Sequence, residues 1–402
     1  MLTTAQASQA IAKSMPTFDI ESIALDMAAG RVLRQVVSAE RDQPPFDRVM
    51  MDGIAIRFAS FELGNRQFSI QGTQHAGDPA QTLQSDQNCI EVMTGGVLPE
   101  GSDCVIPVER ISVVENVATI EDTYQVKASQ FIHPRGSDHG VGHDVLHPGV
   151  MISPMDIAII ASCGLDKIDV GRVPDIRVIS TGNELVPPGQ PVAAHQIRLS
   201  NGPALVAMLN GQAFDNSSHD HLADDVAVLE RELSRHLETA NVLILSGGVS
   251  MGKADFVPQV LQKLGVEVVF HKISQRPGKP MWFGIGPEKQ VVFALPGNPV
   301  SSLVCCRQYV LPALFKASAR EIAPVQYAVL AEDVNSSADL TCFLPVRTRN
   351  LDDGSIHATP VPTNTSGDFA SLGGTDGYVE LRKEDSEFPA GSVVPLHLWT
   401  NP

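Results

Sequence analysis

Apolar positions follow two alternating periods over residues 173–320. DIRVIST (175–181), NVLILSG (241–247), VEVVF (266–270) and QVVFAL (290–295) are short, nearly continuous apolar runs. Such runs leave no polar face and predict buried strands. Between them the spacing turns helical: around Ala204–Leu209, through Val226, Leu229, Leu233 and Leu237, and in DFVPQVLQKLG (255–265). Asp224 and Asp225 stand just before the second of these, where acids suit the positive end of a helix dipole. A long apolar helix beginning near Pro299 closes the series. Strand and helix in alternation predict a doubly wound parallel sheet covered by helices on both faces.

The flanks read differently. Residues 4–15 predict a short amphipathic helix with Thr4 as its N-cap, and residues 30–60 carry short β-like runs broken at Pro44 and Pro45. From about 47 to 135, short Val/Ile segments between Gly turns predict a compact β-rich module. After about 325 short strands return, predicting a small all-β terminal domain. No internal repeat is visible. At roughly 150 residues per domain, 402 residues make two to four domains.

Composition narrows the function classes. Hydrophobic residues are 43% and charged residues 19%, ordinary for a chain that buries real cores. The 32 Gly and 28 Pro are scattered, which implies many defined turns rather than a linker. A net charge of −17 argues against nucleic acid or an anionic membrane as partner, since both call for a basic surface. It leaves room for a small anionic substrate in a local basic pocket. No apolar run approaches the ~20 residues of a membrane span, and no signal peptide is visible at the start. The six cysteines show no C-x-x-C spacing, so reduced, buried thiols in a cytoplasmic protein are expected.

Three turns have the make-up of anion sites. In NVLILSGGVSMGKADF (241–256), Gly247 and Gly248 follow a strand and precede a helix, allowing close backbone approach to an anion. The segment fits neither the P-loop nor the G-x-G-x-x-G pattern, and a Gly-Gly turn is as often purely structural. ISQRPGKPMWFG (273–284) places Arg276 and Lys279 around a Pro-Gly turn whose prolines restrict the backbone. Arg offers a fork matched to oxyanions and Lys a point charge; two solvated loop cations are the alternative. In LPGNPVSS (295–302), Asn298 suits an N-cap, Pro299 the first helical position, and Ser301 and Ser302 follow. In a doubly wound sheet these turns gather at the carboxyl ends of the strands, where ligands bind. His133, His139, His143 and His147 are read as loop residues rather than metal ligands, because Gly140, Gly142 and Pro148 oppose a helix. His219–Asp220–His221 is read as a solvated loop, and Cys305–Cys306 as core.

Taken in order, the motifs resemble the MoeA family, the molybdopterin molybdenumtransferases of molybdenum-cofactor synthesis. The resemblance runs through GRVLRQVVSAERDQPPFDRVMMDGIAIR (30–57), CIEVMTGGVLPEGSDCVIPVE (89–109), PRGSDHGVGHDVLHPG (134–149) and DIRVISTGNELVPPG (175–189). It continues through SGGVSMGKADF (246–256), RPGKP (276–280) and LPGNPVS (295–301), with LPVRTR (344–349) and TNTSGDFASL (363–372) in the terminal region. GGVS (247–250) looks more like this family than like the adenylylating enzymes of the same pathway, which typically carry GGTG. The resemblance implies an elongated, multidomain α/β plus β subunit that forms a homodimer. A linking part (1–46 and 136–172) would carry an inserted β-rich domain (47–135), followed by a MogA-like α/β domain (173–322) and a C-terminal β-barrel (323–402). It also implies that molybdate and adenylylated molybdopterin are the substrates, Mg²⁺ the cofactor, and molybdenum cofactor plus AMP the products. Contacts with the adenylyltransferase and with acceptor molybdoenzymes would follow.

Position by position, Asp52, Thr94, Asp138 and Glu184 resemble the family's functional polar residues; Asp52 and Thr94 would complete a neighbour's cleft in a dimer. Gly247, Gly248, Ser250, Arg276, Lys279, Pro280, Ser301, Arg347 and Ser366 match its oxyanion- and substrate-binding positions. Asp224 and Asp255 match its magnesium-associated acids. The chain departs from the family pattern at five positions. Ile54 stands for Tyr, Asn183 and Asn241 for Asp, Arg276 for Lys, and Lys253 for an acidic or polar residue. These departures raise one alternative, a catalytically impaired paralogue that binds molybdopterin or finished cofactor as a scaffold.

Overall fold

The structure is a computed structural model and describes residues 1–249, 256–336, 339–362, 365 and 367–400. Three six-stranded sheets carry most of it. The first comprises β1 (Gly53–Ile56), β2 (Gln67–Gln74), β3 (Asn88–Val92), β4 (Cys104–Pro107), β5 (Ile111–Val114) and β6 (Val117–Ile120), in the order β4-β1-β3-β2-β6-β5. Its core alternates along the strands, Ile54 and Ile56 with Phe68 and Ile106, as a half-buried sheet requires. Chain on both sides of this sheet packs together. Ile20–Ala24 pairs antiparallel with Lys167–Gly171, and Val37–Ser38 with Asp144–Leu146. Leu33, Ile152, Ile160 and Val170 share the core between them.

The second sheet is the α/β one. Its strands are β7 (Ile176–Thr181), β8 (Ser217–Leu222), β9 (Val242–Ser246), β10 (Glu267–His271), β12 (Trp282–Ile285) and β13 (Val291–Leu295); the two-residue β11 (Gln275–Arg276) belongs elsewhere. The order is β8-β7-β9-β13-β12-β10. β8, β7, β9 and β13 are parallel, whereas β12 runs against β13 and β10 against β12. β9 and β13 are apolar except for the terminal Ser246, because both faces are covered. Val242 and Ile244 pack on one side with Leu205 and Leu209, while Leu243 and Leu245 pack on the other with Leu229 and Leu233. Helices α1 (Thr4–Ser14), α2 (Pro154–Ser162), α3 (Asn201–Asn210), α4 (Val226–Thr239) and α5 (Val257–Lys263) are followed by α6 (Pro299–Cys305), a π segment (Cys306–Val310) and α7 (Leu311–Ala317).

Local caps explain several boundaries. Asp225 caps α4, accepting from Val228 N at 2.9 Å, a contact worth about 1 kcal/mol. In α1 the cap is Thr3, one residue earlier than expected, because Gln6 closes a capping box with it. Ala7 and Ile11 of α1 lie in the α/β core, so this helix packs there. SSHDHL (217–222) is strand β8 and not a solvated loop: as an edge strand it has only β7 as partner, which permits polar residues.

The terminal sheet is β14 (Gln326–Leu330), β15 (Thr341–Asn350), β16 (Ile356–Pro360), β17 (Gly377–Leu381) and β18 (Val393–Leu398). β15 pairs with both β16 and β17, closing a five-stranded barrel around Leu330, Val346, Val379 and Leu396. β11 adds to β15 in parallel and joins the barrel to the α/β unit.

Candidate functional site

A cleft of about 600 Å³ opens at the carboxyl ends of β7, β9 and β13. Three turns build it: Thr181 to Glu184 after β7, Gly247 and Gly248 after β9, and residues 296–299 after β13. Asp224 and Pro280 also line it, and Gly367 reaches in from the terminal region. This is where helix-flanked parallel strands leave a crevice for ligands. The turns approach so closely that glycine is required. Gly247 has φ +106°, and a Cβ there would stand 2.6 Å from the Thr181 carbonyl oxygen.

Polar side chains brace the walls. Asn201, the first residue of α3, donates through Nδ2 to Ser246 Oγ (2.9 Å) and to the Gly297 carbonyl (2.7 Å), tying two of the turns together. Asn183 Oδ1 accepts from Asp224 N at 3.2 Å. His221 Nε2 lies 2.8 Å from the Gly182 carbonyl oxygen and His219 Nε2 3.0 Å from Ser180 Oγ. Burial holds His219 below the usual histidine range, so its ring is neutral near pH 7. Thr181 Oγ1 is buried under the cleft without a hydrogen-bond partner among the described residues.

Of the residues singled out from the sequence, Glu184, Asp224, Gly247, Gly248 and Pro280 line the cleft. Arg276 and Lys279 are exposed on the turn that leads to Pro280. Ile273 N donates to the Lys279 carbonyl at 2.9 Å across that turn. Ser301 and Ser302 are buried, with Ser302 Oγ 3.3 Å from Ser246 Oγ, so these hydroxyls stand within the packing rather than in solvent. Arg347 is exposed on β15, the strand that pairs with β11. Ser250, Lys253, Asp255 and Ser366 lie outside the described residues.

Asp52, Thr94 and Asp138 are absent from the lining of this cleft; Asp52 and Thr94 flank strands β1 and β3, and the Asp138 N–H bonds to the Gln43 carbonyl. Thr94 donates to Asp52 Oδ1 through both its N–H and its hydroxyl, each at 2.7 Å. The backbone bond first, then the hydroxyl, holds the Asp52 carboxyl below the usual carboxylate range. Asp138 belongs to a short chain of groups: Arg48 Nη2 lies 2.8 Å from His133 Nδ1, and His133 Nε2 lies 2.9 Å from Asp138 Oδ1. Arg48 can only donate, so Nδ1 accepts and the ring proton sits on Nε2, aimed at Asp138. His139 and His143 stack with ring centres 5.5 Å apart. Among the described residues no group of three or more His, Cys, Asp or Glu forms a metal cluster. The cleft does offer Asp224 and Glu184, carboxylate oxygens of the kind Mg²⁺ takes in ones and twos while keeping its waters. That donor chemistry fits the ion.

Comparison with known proteins follows this geometry along the whole chain. The family description "MoeA N-terminal region (domain I and II)" matches residues 2–164, "Probable molybdopterin binding domain" residues 177–316, and "MoeA C-terminal region (domain IV)" residues 327–399. A molybdopterin molybdenumtransferase of Synechocystis is 40% identical over 400 residues, covering 99% of this chain and 100% of that protein. The chain belongs to the MoeA family. A second molybdopterin molybdenumtransferase, from Haemophilus influenzae, is 34% identical over 98% of each chain. The crystal structure of a molybdopterin biosynthesis moea protein from Pyrococcus horikosii superposes with a TM-score of 0.85 at 28% identity, covering 100% of each chain.

Three of the five departures from the MoeA pattern have local explanations. Ile54 is fully buried in the core of the first sheet, where an apolar side chain needs no polar partner. Asn241 lies at the opposite end of β9 from the cleft; its Oδ1 accepts from Asp175 N at 2.9 Å. Asn183 performs, as an acceptor for Asp224 N, what a carboxylate would also perform. Sequence reasoning missed Asn201, Ser246 and Thr181 in this MoeA-family cleft. The one available signal was Ser200–Asn201 at a helix start, which reads as capping chemistry.

Proposed function

We propose that this MoeA-family enzyme, a molybdopterin molybdenumtransferase, inserts molybdate into adenylylated molybdopterin with Mg²⁺ and releases AMP. The observation that carries this reading is the cleft at the strand ends. It combines a glycine turn for close approach to phosphate, two carboxylates, and the root of a two-cation turn. Gly247 and Gly248 let the nucleotide's phosphates approach the backbone. Arg276 and Lys279, with Arg347, hold the tetrahedral oxyanion for attack by the pterin dithiolene. Asp224 and Glu184 would hold Mg²⁺, which when bound draws charge from the phosphoanhydride. Ser250, Asp255 and Ser366 complete these sets by position in the motifs.

Asp52 and Thr94 serve a partner's cleft in a homodimer. Exposed apolar side chains support pairing: Met155 and Ile159 on α2 stand beside a short 3-10 turn that carries Met27. Chemistry in the cytoplasm fits six free cysteines, two of which, Cys89 and Cys104, burial pushes up to about 12. Among the described residues no helix is long and apolar enough to cross a membrane. Transient contacts with the adenylyltransferase and acceptor molybdoenzymes would pass the substrate in and the product on. The test is AMP release from adenylylated molybdopterin by pure protein, with molybdate and Mg²⁺ each varied. No release under any metal condition, with tight molybdopterin binding retained, would return the scaffold alternative.

A further inference from the structure

Beneath the exposed turn bearing Arg276 and Lys279 lies a polar network sealed from solvent. Gln275 is 0% exposed and Tyr309 is 2% exposed. Gln275 Nε2 donates to the Pro277 carbonyl (2.9 Å) and to Cys305 Sγ (3.5 Å), and Gln275 Oε1 accepts the Tyr309 hydroxyl. The Cys305 thiol in turn donates to the Gly278 carbonyl at 3.8 Å. Burial pushes this thiol well up, so it keeps its proton and remains a donor. Both amide hydrogens, the amide oxygen, the phenol and the thiol are therefore engaged. A buried amide with all its bonds made is rigid, whereas the same amide with one bond missing is costly. Gly278 sits directly over this layer. Its φ is +93°, and a Cβ would overlap Cys305 Sγ and stand 2.6 Å from Gln275 Nε2.

Tyr309 comes from the π segment, a feature that is rare in helices and frequent at functional sites. The same segment reaches the other way. Arg307 Nε donates to the Leu398 carbonyl at 2.6 Å, and Gln308 Oε1 accepts from Tyr378 Oη at 2.8 Å. One helical irregularity thus touches the cation turn on one side and the barrel on the other.

We infer that Gln275 and Tyr309 are positioning residues. They fix the backbone of residues 276–279 from below, so that Arg276 and Lys279 meet one tetrahedral oxyanion together. The inference rests on the reading of that turn as the molybdate subsite. It differs from a simple packing role in one respect: it predicts a loss specific to the oxyanion.

The experiment is steady-state AMP release with molybdate and adenylylated molybdopterin varied separately, alongside thermal melting of each variant. Tyr309→Phe keeps the ring and removes one hydroxyl. It is expected to raise KM for molybdate about tenfold, the equivalent of about 1.4 kcal/mol, while kcat and KM for the nucleotide stay unchanged. Gln275→Met, close in volume, should do the same or more. Lys279→Ala is the control for the underlying reading. If Lys279→Ala raises KM for molybdate and Tyr309→Phe does not, or Tyr309→Phe shifts both KM values equally, the positioning role is wrong. If Lys279→Ala leaves KM for molybdate unchanged, the turn is not the molybdate subsite and the inference goes with it.

Discussion

Replacing Asn201 tests how the cleft is held open. Its Nδ2 makes two hydrogen bonds, 2.9 Å to Ser246 Oγ and 2.7 Å to the Gly297 carbonyl. A net contribution of about 0.5–1.5 kcal/mol for each gives about 1–3 kcal/mol for Asn201→Ala. The side chain is partly exposed, so water recovers some of the loss and the lower half of that range applies. Each kcal/mol lowers Tm by about 2–4 °C in a unit of 150–250 residues. Asn201→Asp separates positioning from charge. It also lacks the donor, puts an oxygen opposite the Gly297 carbonyl, and adds a negative charge to a cleft that takes anions. At about 4 Å that charge costs a bound phosphate about 1 kcal/mol in bulk water and about 4 kcal/mol at an effective dielectric of 20. KM for adenylylated molybdopterin should therefore rise more in the Asp variant than in the Ala variant. Melting curves and AMP-release kinetics on both would show it. Equal KM values in the two variants, or an unchanged Tm in Asn201→Ala, would refute the reasoning.

Other substitutions probe other parts of the site. Thr94→Val removes the hydroxyl on Asp52 and leaves the stronger backbone bond, so the Asp52 carboxyl should move part of the way back up. A lowered carboxylate pKa gives stability that is present above the unfolded value and lost as pH falls through the folded one. The variant should therefore lose stability at neutral pH and match the parent in strong acid, and an unshifted Asp52 midpoint in a carboxyl NMR titration would contradict it. Gly278→Ala must place a side chain at φ +93°, at a cost of about 1–2 kcal/mol before its overlap with Cys305 is counted. Urea unfolding should reveal at least that loss. Asp224→Asn should shift the Mg²⁺ titration of AMP release to higher concentration, and superimposable titrations would remove Asp224 from the metal's environment. Ile54→Tyr restores the common family residue at a fully buried position and should destabilise by about 1–3 kcal/mol through overpacking. A gain in kcat would instead make Ile54 a cause of reduced activity.

The α/β core was readable because its strands are buried on both faces and announce themselves as apolar runs, as Val242 to Leu245 do. Strand β12 was not: Trp282–Ile285 spans four residues just after a Pro-Gly turn, too short for any period to register. Strand β8 was hidden for the opposite reason, since an edge position tolerates Ser, His and Asp. In the site, glycines, acids and a proline carried local signals, and five such residues, Glu184, Asp224, Gly247, Gly248 and Pro280, do meet in one cleft. Asn201 carried only the look of a helix cap, because its partners stand 45 and 96 residues away and only the closed sheet brings them near. The same holds for Gln275 and Tyr309, separated by 34 residues and joined through a helix whose local register the sequence does not reveal. Buried polar networks are a property of the assembled fold, and their members look like ordinary surface residues in the chain.

The pairing of Arg48 with His133 has a consequence for how this architecture can change. It makes the chain leave the trunk of the molecule and return to it on adjacent strands. The first sheet is thus a side branch on a two-strand stem. Because the stem is closed by its own hydrogen bonds, the trunk experiences the same end-to-end separation whatever the branch contains, and lengthening a loop within the branch adds only a slowly growing entropy. Evolution can therefore lengthen, trim or retune the branch that carries Asp52 and Thr94 without refolding the trunk. A designer could exchange it between relatives as a cassette cut at the stem.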